Sequence, residues 1–160
     1  MVQAVVASED NLFLDHWGVD FKAIEKAIEH NEHSRRKHGA STITQQTAKN
    51  LFLWPSRTYL RKGFELYFTG LMELIWSKKR IMEVYLNIIE TGDGIYGVES
   101  AANSYFKKPA MKLSKGEAVL IAVSLPDPRR RNPVKPSRYM LQRQAEILDL
   151  MDKIEQVKFD

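Results

Sequence analysis

The stretch from Tyr59 to Trp76 reads YLRKGFELYFTGLMELIW and decides the fold class of the chain. Its large apolar side chains recur at steps of three and four residues, which is the spacing of one face of an α-helix. They are Leu60, Phe64, Phe68, Leu71, Met72 and Ile75. A half-buried strand would instead alternate apolar and polar residues. The spacing therefore predicts a long amphipathic helix.

Helical spacing returns along most of the chain, in residues 20–28, 81–88, 98–105 and 137–154. Asp20 is a candidate helix cap, and Thr42–Gln45 and Ser114–Glu117 have the form of capping boxes. Glycine and proline cluster between these segments, and no alternating run of useful length is present. The sequence predicts an all-α fold in one domain over residues 1–160.

Composition narrows the class of protein further. The 160 residues are 44% hydrophobic and 28% charged, which suits a folded globular domain. The absence of cysteine excludes a disulfide framework and a cysteine metal site. The net charge of +4 suits an anionic partner such as phosphate, anionic lipid or nucleic acid. The longest apolar run, Ala118 to Pro126, is too short to span a bilayer.

Glu9, Phe13 and His16 follow one another at steps of four and three residues. On a helix, these three side chains would share a face and line a cleft. An ordinary solvated helix face is the alternative interpretation.

The segment from Gly39 to Asn50 is dense in short polar side chains. Thr42, Gln46, Lys49 and Asn50 would share one face of a helix that begins near Thr42. Neutral donors, a cation and a helix N-terminus favour a site for a sugar diphosphate. A capped polar surface helix is the alternative.

Three further segments carry charge. Arg57 precedes the i,i+4 pair Arg61 and Glu65, which is either a surface salt bridge or a basic wall for a phosphate group. Lys78 to Asn87 has the pattern of a structural helix, with Asn87 as a hydrogen-bonding post. Residues 125–133 form a proline-rich basic loop.

These five segments, in this order, resemble the peptidoglycan glycosyltransferase family. The family pattern E-D-x-x-F-x-x-H-x-G is matched from Glu9 to Gly18, and G-x-S-T-I-T-Q-Q-x-x-K-N from Gly39 to Asn50. R-K-x-x-E is matched from Arg61 to Glu65, and K-x-x-I-x-E-x-Y-L-N from Lys78 to Asn87. The resemblance covers most of the chain, with Ala40 and Met82 as small departures from the usual residues.

The resemblance implies a lysozyme-like helical domain with a long substrate cleft. In that family the acceptor is lipid II and the donor is a growing glycan on undecaprenyl diphosphate. The 4-hydroxyl of the acceptor displaces the lipid diphosphate with inversion, which forms a β-1,4 bond. Other cell-wall synthesis proteins are expected partners, and nucleic acid is not.

The resemblance also assigns roles to residues. Glu9 corresponds to the general base and Glu65 to the second catalytic glutamate, which organises cations or a divalent metal, Mg²⁺ or Mn²⁺. The expected substrate-binding residues are Asp10, Phe13, His16, Ser41, Thr42, Gln45, Gln46, Lys49, Asn50, Arg57, Arg61, Lys62 and Asn87. Lys49, Arg57 and Arg61 would face the leaving diphosphate.

The lipid substrate that the resemblance implies places the expected reaction at the outer, periplasmic face of the bacterial cytoplasmic membrane. A membrane anchor is expected on the N-terminal side of residues 1–160, and Leu51–Trp54 is a candidate lipid contact. A buried helix end is the alternative for that segment. The chain lacks a serine-acylation motif, which favours a monofunctional enzyme over the glycosyltransferase part of a bifunctional penicillin-binding protein.

Three alternative interpretations place the chain outside this family. The basic runs Arg35–Lys37, Lys78–Arg80, Lys107–Lys108 and Arg129–Arg131 suit a helical nucleic-acid-binding domain. Such a domain does not account for Glu9 or Glu65. A muramidase could use Glu9 as an acid, but it needs no basic wall for a diphosphate. A non-catalytic binder has no support in the motif residues.

Overall fold

A computed structural model describes residues 1–33, 39–56 and 58–159. Within these ranges the chain is mainly helical, with one short antiparallel hairpin. The helices are α1 (Val2–Glu9), α2 (Phe21–His33), α3 (Ile43–Phe52), α4 (Tyr59–Ile75), α5 (Lys78–Ile88), α6 (Val98–Ala101), α7 (Lys115–Ser124) and α8 (Arg138–Lys153). The strands are β1 (Glu90–Gly92) and β2 (Ile95–Tyr96), a π-helical turn spans Ala102–Phe106, and a 3₁₀ turn spans Ala110–Lys112. The all-α prediction is confirmed.

The helix starts follow the capping residues that the sequence contains. Asp20 Oδ1 accepts a hydrogen bond from the backbone N–H of Ala23 at 2.9 Å. Thr42 and Ser114 each begin a complete capping box, and Ser137 caps α8. Each cap satisfies a backbone N–H that the helix itself leaves without a partner.

The centre of the fold is α1, whose residues Ala4 to Ala7 are all buried. It packs against α7 and α8, while α3 packs against α4 and α5. The large side chains of Phe13, Ile43 and Tyr85 are fully buried where these two groups of helices meet. The C-terminal end of α1 is thereby fixed beside the N-terminal end of α3.

One detail differs from the sequence-based expectation. Helix α1 ends at Glu9, because Asp10 leaves the helical conformation with φ −163°. Glu9, Phe13 and His16 therefore do not share a helix face, and that prediction was wrong. The glycine-rich break after α5 contains the short β1–β2 hairpin, an extended piece that the sequence pattern left open.

Arg57 and the basic run Arg35–Lys37 lie outside the described residues. In the described ranges, no helix combines the length and apolar character that crossing a membrane would require.

Candidate active site

Glu9 is the last residue of α1, and its carboxylate points toward α3. Oε2 accepts a hydrogen bond from Nε2 of Gln46 at 3.0 Å, and Oε1 accepts one from Oγ of Ser8 at 3.4 Å. Burial raises the pKa of Glu9, while the hydrogen bonds from Gln46 and Ser8 and the charges of Arg131 and Arg143 act in the opposite direction. A carboxylate whose pKa is raised by burial is suited to accept a proton near neutral pH.

Asp10 joins the Glu9 region to the start of α3. Its Oδ2 accepts the backbone N–H of Ile43 at 3.0 Å, and its Oδ1 lies 2.8 Å from Nε2 of His16. Asp10 is buried, and its carboxylate sits at the positive end of the α3 dipole. Asp10 therefore fixes the backbone that follows Glu9 to the start of α3 and to His16.

The capping box of α3 uses two residues that the resemblance assigned to substrate binding. Thr42 Oγ1 accepts from the backbone N–H of Gln45 and donates to the backbone oxygen of Gly18 at 2.6 Å. Gln45 Oε1 accepts from the backbone N–H of Thr42 at 3.1 Å. Both side chains are buried. These contacts assign Thr42 and Gln45 to holding the helix start.

A cavity of about 220 Å³ opens beside Glu9. Glu9, Asp10, Ser41 and Thr42 form one side of it, and α2 contributes Lys26. The remaining lining residues are Asn11, Asp20, Ala23, Ala27, Gly39 and Ala40. The Glu9 carboxylate thus faces a space that a small polar group can enter.

A second cavity, of about 530 Å³, lies at the other end of α3. Lys49, Asn50 and Arg61 supply its polar groups, and Leu53, Trp54, Pro55 and Ser56 complete the lining. Arg61 is held in place, because its Nη1 donates to Glu65 Oε2 at 2.8 Å and its Nε donates to the backbone oxygen of Ser56. This cationic pocket combines two positive charges with an apolar wall.

Glu65 is buried at 3% exposure and organises the cationic side of the site. One carboxylate oxygen binds Arg61 and the other binds Lys62. Both oxygens are committed to cations, so Glu65 positions two positive charges. The i,i+4 pair that the sequence left open is therefore a buried ion pair and not a surface salt bridge.

The two cavities lie near opposite ends of α3, and Gln46 lies between them in sequence. Gln46, which binds Glu9, and Lys49, which lines the cationic pocket, are three residues apart on this helix. Three residues span about 4.5 Å along a helix axis. The predicted shared face of α3 thus brings a recessed carboxylate and a cationic pocket together.

Two of the predicted site residues lie elsewhere. Phe13 is fully buried, and Nζ of Lys78 lies 4.7 Å from its ring centroid. Phe13 therefore belongs to the core beneath the site and does not line either cavity. Asn87 is exposed and donates to the backbone oxygen of Glu83 at 2.7 Å, within its own helix. No described contact links Asn87 to the Glu9 region.

Several site residues were not singled out by sequence reasoning. Tyr85 donates from its hydroxyl to Oε1 of Gln46 at 3.2 Å. Lys78 donates to Glu73 Oε1 and to the backbone oxygen of His16, which ties α5 to the loop after Glu9. Tyr85 lay on a predicted apolar stripe of a helix. The one signal in the sequence is that a tyrosine hydroxyl buried by such a stripe needs a hydrogen-bond partner.

The described residues do not fit a metal held by the protein. Across residues 1–33, 39–56 and 58–159, no group of three or more histidine, aspartate or glutamate side chains could hold an ion. Glu65, the expected ligand, already binds Arg61 and Lys62 through both oxygens. Divalent ions need several oxygen ligands, which this site supplies only in small number.

A helical domain with a recessed carboxylate beside a cationic pocket matches a known family. The family model described as Transglycosylase covers residues 1–152, and the chain belongs to this family. The lysozyme-like helical fold that the sequence implied is thereby confirmed.

Curated relatives carry the name biosynthetic peptidoglycan transglycosylase. The protein from Bacteroides thetaiotaomicron is 60% identical over 151 residues, which is 94% of this chain and 61% of the relative. Those from Bdellovibrio bacteriovorus and Escherichia coli are each 56% identical, over 92% of this chain and 59% and 62% of their own lengths. The chain thus spans about three fifths of these relatives.

Proposed function

We propose that this chain is the catalytic domain of a peptidoglycan glycosyltransferase that polymerises lipid II into β-1,4-linked glycan strands. The observation that carries the proposal is the placement of the recessed Glu9 carboxylate about one helical turn along α3 from the pocket of Lys49 and Arg61. Membership of the transglycosylase family and the names of the relatives support the same reaction.

Glu9 acts as the general base in this reaction. The acceptor's 4-hydroxyl is a weak nucleophile and must lose its proton to a group within hydrogen-bond reach as it attacks C1 of the donor sugar. The raised pKa of Glu9 brings the carboxylate closer to the strength this task needs. The proton moves to Glu9, the new C–O bond forms, and the bond to the diphosphate breaks on the opposite face of the sugar.

Lys49 and Arg61 receive the charge that develops on the leaving diphosphate. Cations held in place before the reaction stabilise such charge without having to reorganise. The ion pair with Glu65 keeps Arg61 in position, and Lys62 binds the other oxygen of the same carboxylate. Arg57 is assigned to the same task by the resemblance alone.

The same geometry opposes a muramidase function. A glycan hydrolase needs a carboxylic acid to protonate the leaving sugar oxygen. Glu9 is the candidate for that acid, but the second glutamate, Glu65, holds the two cations Arg61 and Lys62, for which cleavage of a neutral sugar linkage has no use. A diphosphate, by contrast, leaves without protonation when its charge is neutralised.

The test is polymerisation of labelled lipid II, resolved by gel, for the wild type and for Glu9→Gln. Glu83→Gln is the matched control, because Glu83 is exposed on α5 and its carboxylate pairs with the exposed Arg80. Loss of a general base costs about a hundredfold or more in rate. We expect lysozyme-sensitive polymer from the wild type and the control and none from Glu9→Gln. Near-normal polymer from Glu9→Gln would remove the base assignment.

We also propose that a Mg²⁺ or Mn²⁺ ion arrives with the diphosphate of the substrate instead of occupying a preformed site. The limited set of carboxylate ligands in the described residues supports this arrangement. Titration of the protein with Mn²⁺, followed by electron paramagnetic resonance, should show no tight binding until a lipid diphosphate is added. Tight binding to the protein alone would contradict the proposal.

Membrane association is the third element of the proposal. The aromatic patch of Phe52, Trp54, Phe64 and Tyr67 is exposed on α3, α4 and the segment between them. Its rings contact one another or Phe68, and Trp54 also lines the cationic pocket. An apolar surface that continues into a diphosphate pocket suits a lipid diphosphate whose tail remains in the bilayer.

We propose that the whole protein is a monofunctional enzyme, anchored in the bacterial cytoplasmic membrane with this domain on the periplasmic face. The lipid tail of the proposed substrate, which remains in the bilayer, supports this location. Protease treatment of spheroplasts, in which only the outer face of that membrane is accessible, should degrade the domain. Protection of the domain would place it on the other face.

A further inference from the structure

We propose that Tyr85 is a positioning residue that sets the basicity of Glu9 through the side-chain amide of Gln46. This inference deepens the proposed function and rests on it. It gives Gln46 a task apart from binding substrate, and it gives a function to a hydroxyl that lies on no substrate-facing wall.

The contacts form a continuous chain of side chains across three helices. Tyr85 on α5 donates to Gln46 Oε1 at 3.2 Å, and Gln46 Nε2 on α3 donates to Glu9 Oε2 at 3.0 Å at the end of α1. Because Tyr85 is fully buried, its hydroxyl cannot exchange the hydrogen bond to Gln46 for one to bulk water.

The orientation of the amide follows from the groups around it. On one side, Gln46 Nε2 meets two acceptors, the Glu9 carboxylate and the backbone oxygen of Ser41 at 3.4 Å. On the other side stands a hydroxyl that can donate to the amide oxygen. Because hydrogen bonds in a chain polarise one another, the bond from Tyr85 strengthens the donor that Gln46 presents to Glu9.

The chain opposes the effect of burial on the base. Burial is the largest influence on the pKa of Glu9 and raises it, whereas the hydrogen bond from Gln46 lowers it. Arg131, in the loop after α7, and Arg143, on α8, act on Glu9 in the same direction as Gln46, and Asp10 acts on Tyr85. Charged groups also line the cavity beside Glu9: Asp10, Asp20 and Lys26. Loss of the Tyr85 hydroxyl should therefore favour the protonated, inactive form of Glu9.

The experiment combines a direct titration with a rate profile. The carboxyl of Glu9 is followed by ¹³C NMR in uniformly glutamate-labelled protein, with its signal assigned by its absence in Glu9→Gln. Wild type, Tyr85→Phe and Tyr105→Phe are compared. Tyr105 is the matched control, because its hydroxyl also makes one hydrogen bond, to the backbone oxygen of Thr91, away from Glu9.

We expect Tyr85→Phe to move the titration of Glu9, and the acid limb of kcat, to higher pH, while KM for lipid II stays near the wild-type value. On the acid limb the rate should fall about fivefold, the effect of one ordinary hydrogen bond. Tyr105→Phe should leave both curves unchanged. An unshifted Glu9 titration in Tyr85→Phe would overturn the inference.

Gln46→Met provides the second variant, because it removes the hydrogen bonds to Glu9 and from Tyr85 at a half-buried position with little change in volume. It should shift the Glu9 titration in the same direction, and Tyr85→Phe added to it should have no further effect. Additive shifts would overturn the inference. The NMR titration needs no polymerisation, so a wild type that makes no polymer would reject the proposed function and leave the Tyr85 result readable.

Discussion

Glu9 and Glu65 show how two glutamates of one site take opposite tasks through their neighbours. Glu9 has neutral partners, Gln46 and Ser8, and is recessed enough for burial to raise its pKa. Glu65 is more deeply buried, yet two cations compensate its charge. A base needs the first environment, and an anchor for cations needs the second.

The raised pKa of Glu9 has a consequence for stability. As pH rises, the unfolded chain loses the Glu9 proton first, so the free energy of unfolding falls between the ordinary glutamate value of 4.5 and the higher folded value. Above that window the cost of burying the carboxylate remains in full. We expect Glu9→Gln to be more stable than the wild type at pH 7 and equal to it below pH ~4.

Urea denaturation at the two pH values measures this difference. Glu83→Gln, whose carboxylate is exposed, should match the wild type at both values to within about 0.5 kcal/mol. An equal stability of Glu9→Gln and wild type at pH 7 would show that burying this carboxylate carries no cost.

Removing the charge of Glu65 should have the reverse effect. Glu65→Gln leaves Arg61, which is 12% exposed, with an unpaired charge in a largely buried position. We expect a loss of about 2–3 kcal/mol in the free energy of unfolding, measured in urea. A loss below 0.5 kcal/mol, the range expected for Glu83→Gln, would mean that water replaces the carboxylate.

At the scale of elements, the start of α3 depends on a glycine in the loop between α1 and α2. Gly18 has φ +69°, and its carbonyl accepts the hydrogen bond from Thr42. A Cβ atom at Gly18 would lie 2.5 Å from Cγ2 of Thr69 on α4. Backbone conformation and close packing thus both require glycine where the loop passes between α3 and α4.

The substitutions Gly18→Ala and Gly94→Ala separate these two requirements. Both glycines have φ +69°, but a Cβ at Gly94 meets no atom within 4 Å. We expect Gly94→Ala to cost about 1–2 kcal/mol from the left-handed backbone alone. Gly18→Ala should cost about 1–3 kcal/mol more, because Thr69 or α4 must shift. Equal losses in chemical denaturation would show that the contact with Thr69 relaxes freely.

The sequence predicted the elements better than it predicted the connections between them. Helical spacing and capping residues such as Thr42 and Ser114 are local signals, and the structure follows them. The end of α1 at Glu9 was missed, because Asp10 leaves the helix to bind Ile43 and His16, which are distant in sequence or beyond a turn. The link from Tyr85 to Gln46 was missed because it depends on how α5 packs against α3.

At the scale of the whole molecule, the proposed membrane association predicts that the aromatic patch orients the domain at a lipid surface. Phe64→Glu combined with Tyr67→Glu places two charges in this patch. We expect about a tenfold or greater loss of binding to phosphatidylglycerol vesicles, measured by flotation, because apolar area is lost and the new charges are repelled. Tyr96→Glu is the control, since Tyr96 is an exposed aromatic residue on β2. Equal flotation of all variants would remove the patch from the membrane contact.

The packing of α1 against α7 and α8 also governs the order in which the molecule can assemble. Gln3 binds the backbone of Glu155 and Val157, across 152 and 154 positions of the sequence. Contacts of such long range close late and slow folding, because the intervening chain must first be ordered. During synthesis, α1 emerges long before its partners and must wait for them. The proposed base is thus carried by a helix that is made before α7 and α8, the helices against which it packs, so that a chain in which these two are not yet made holds no working site.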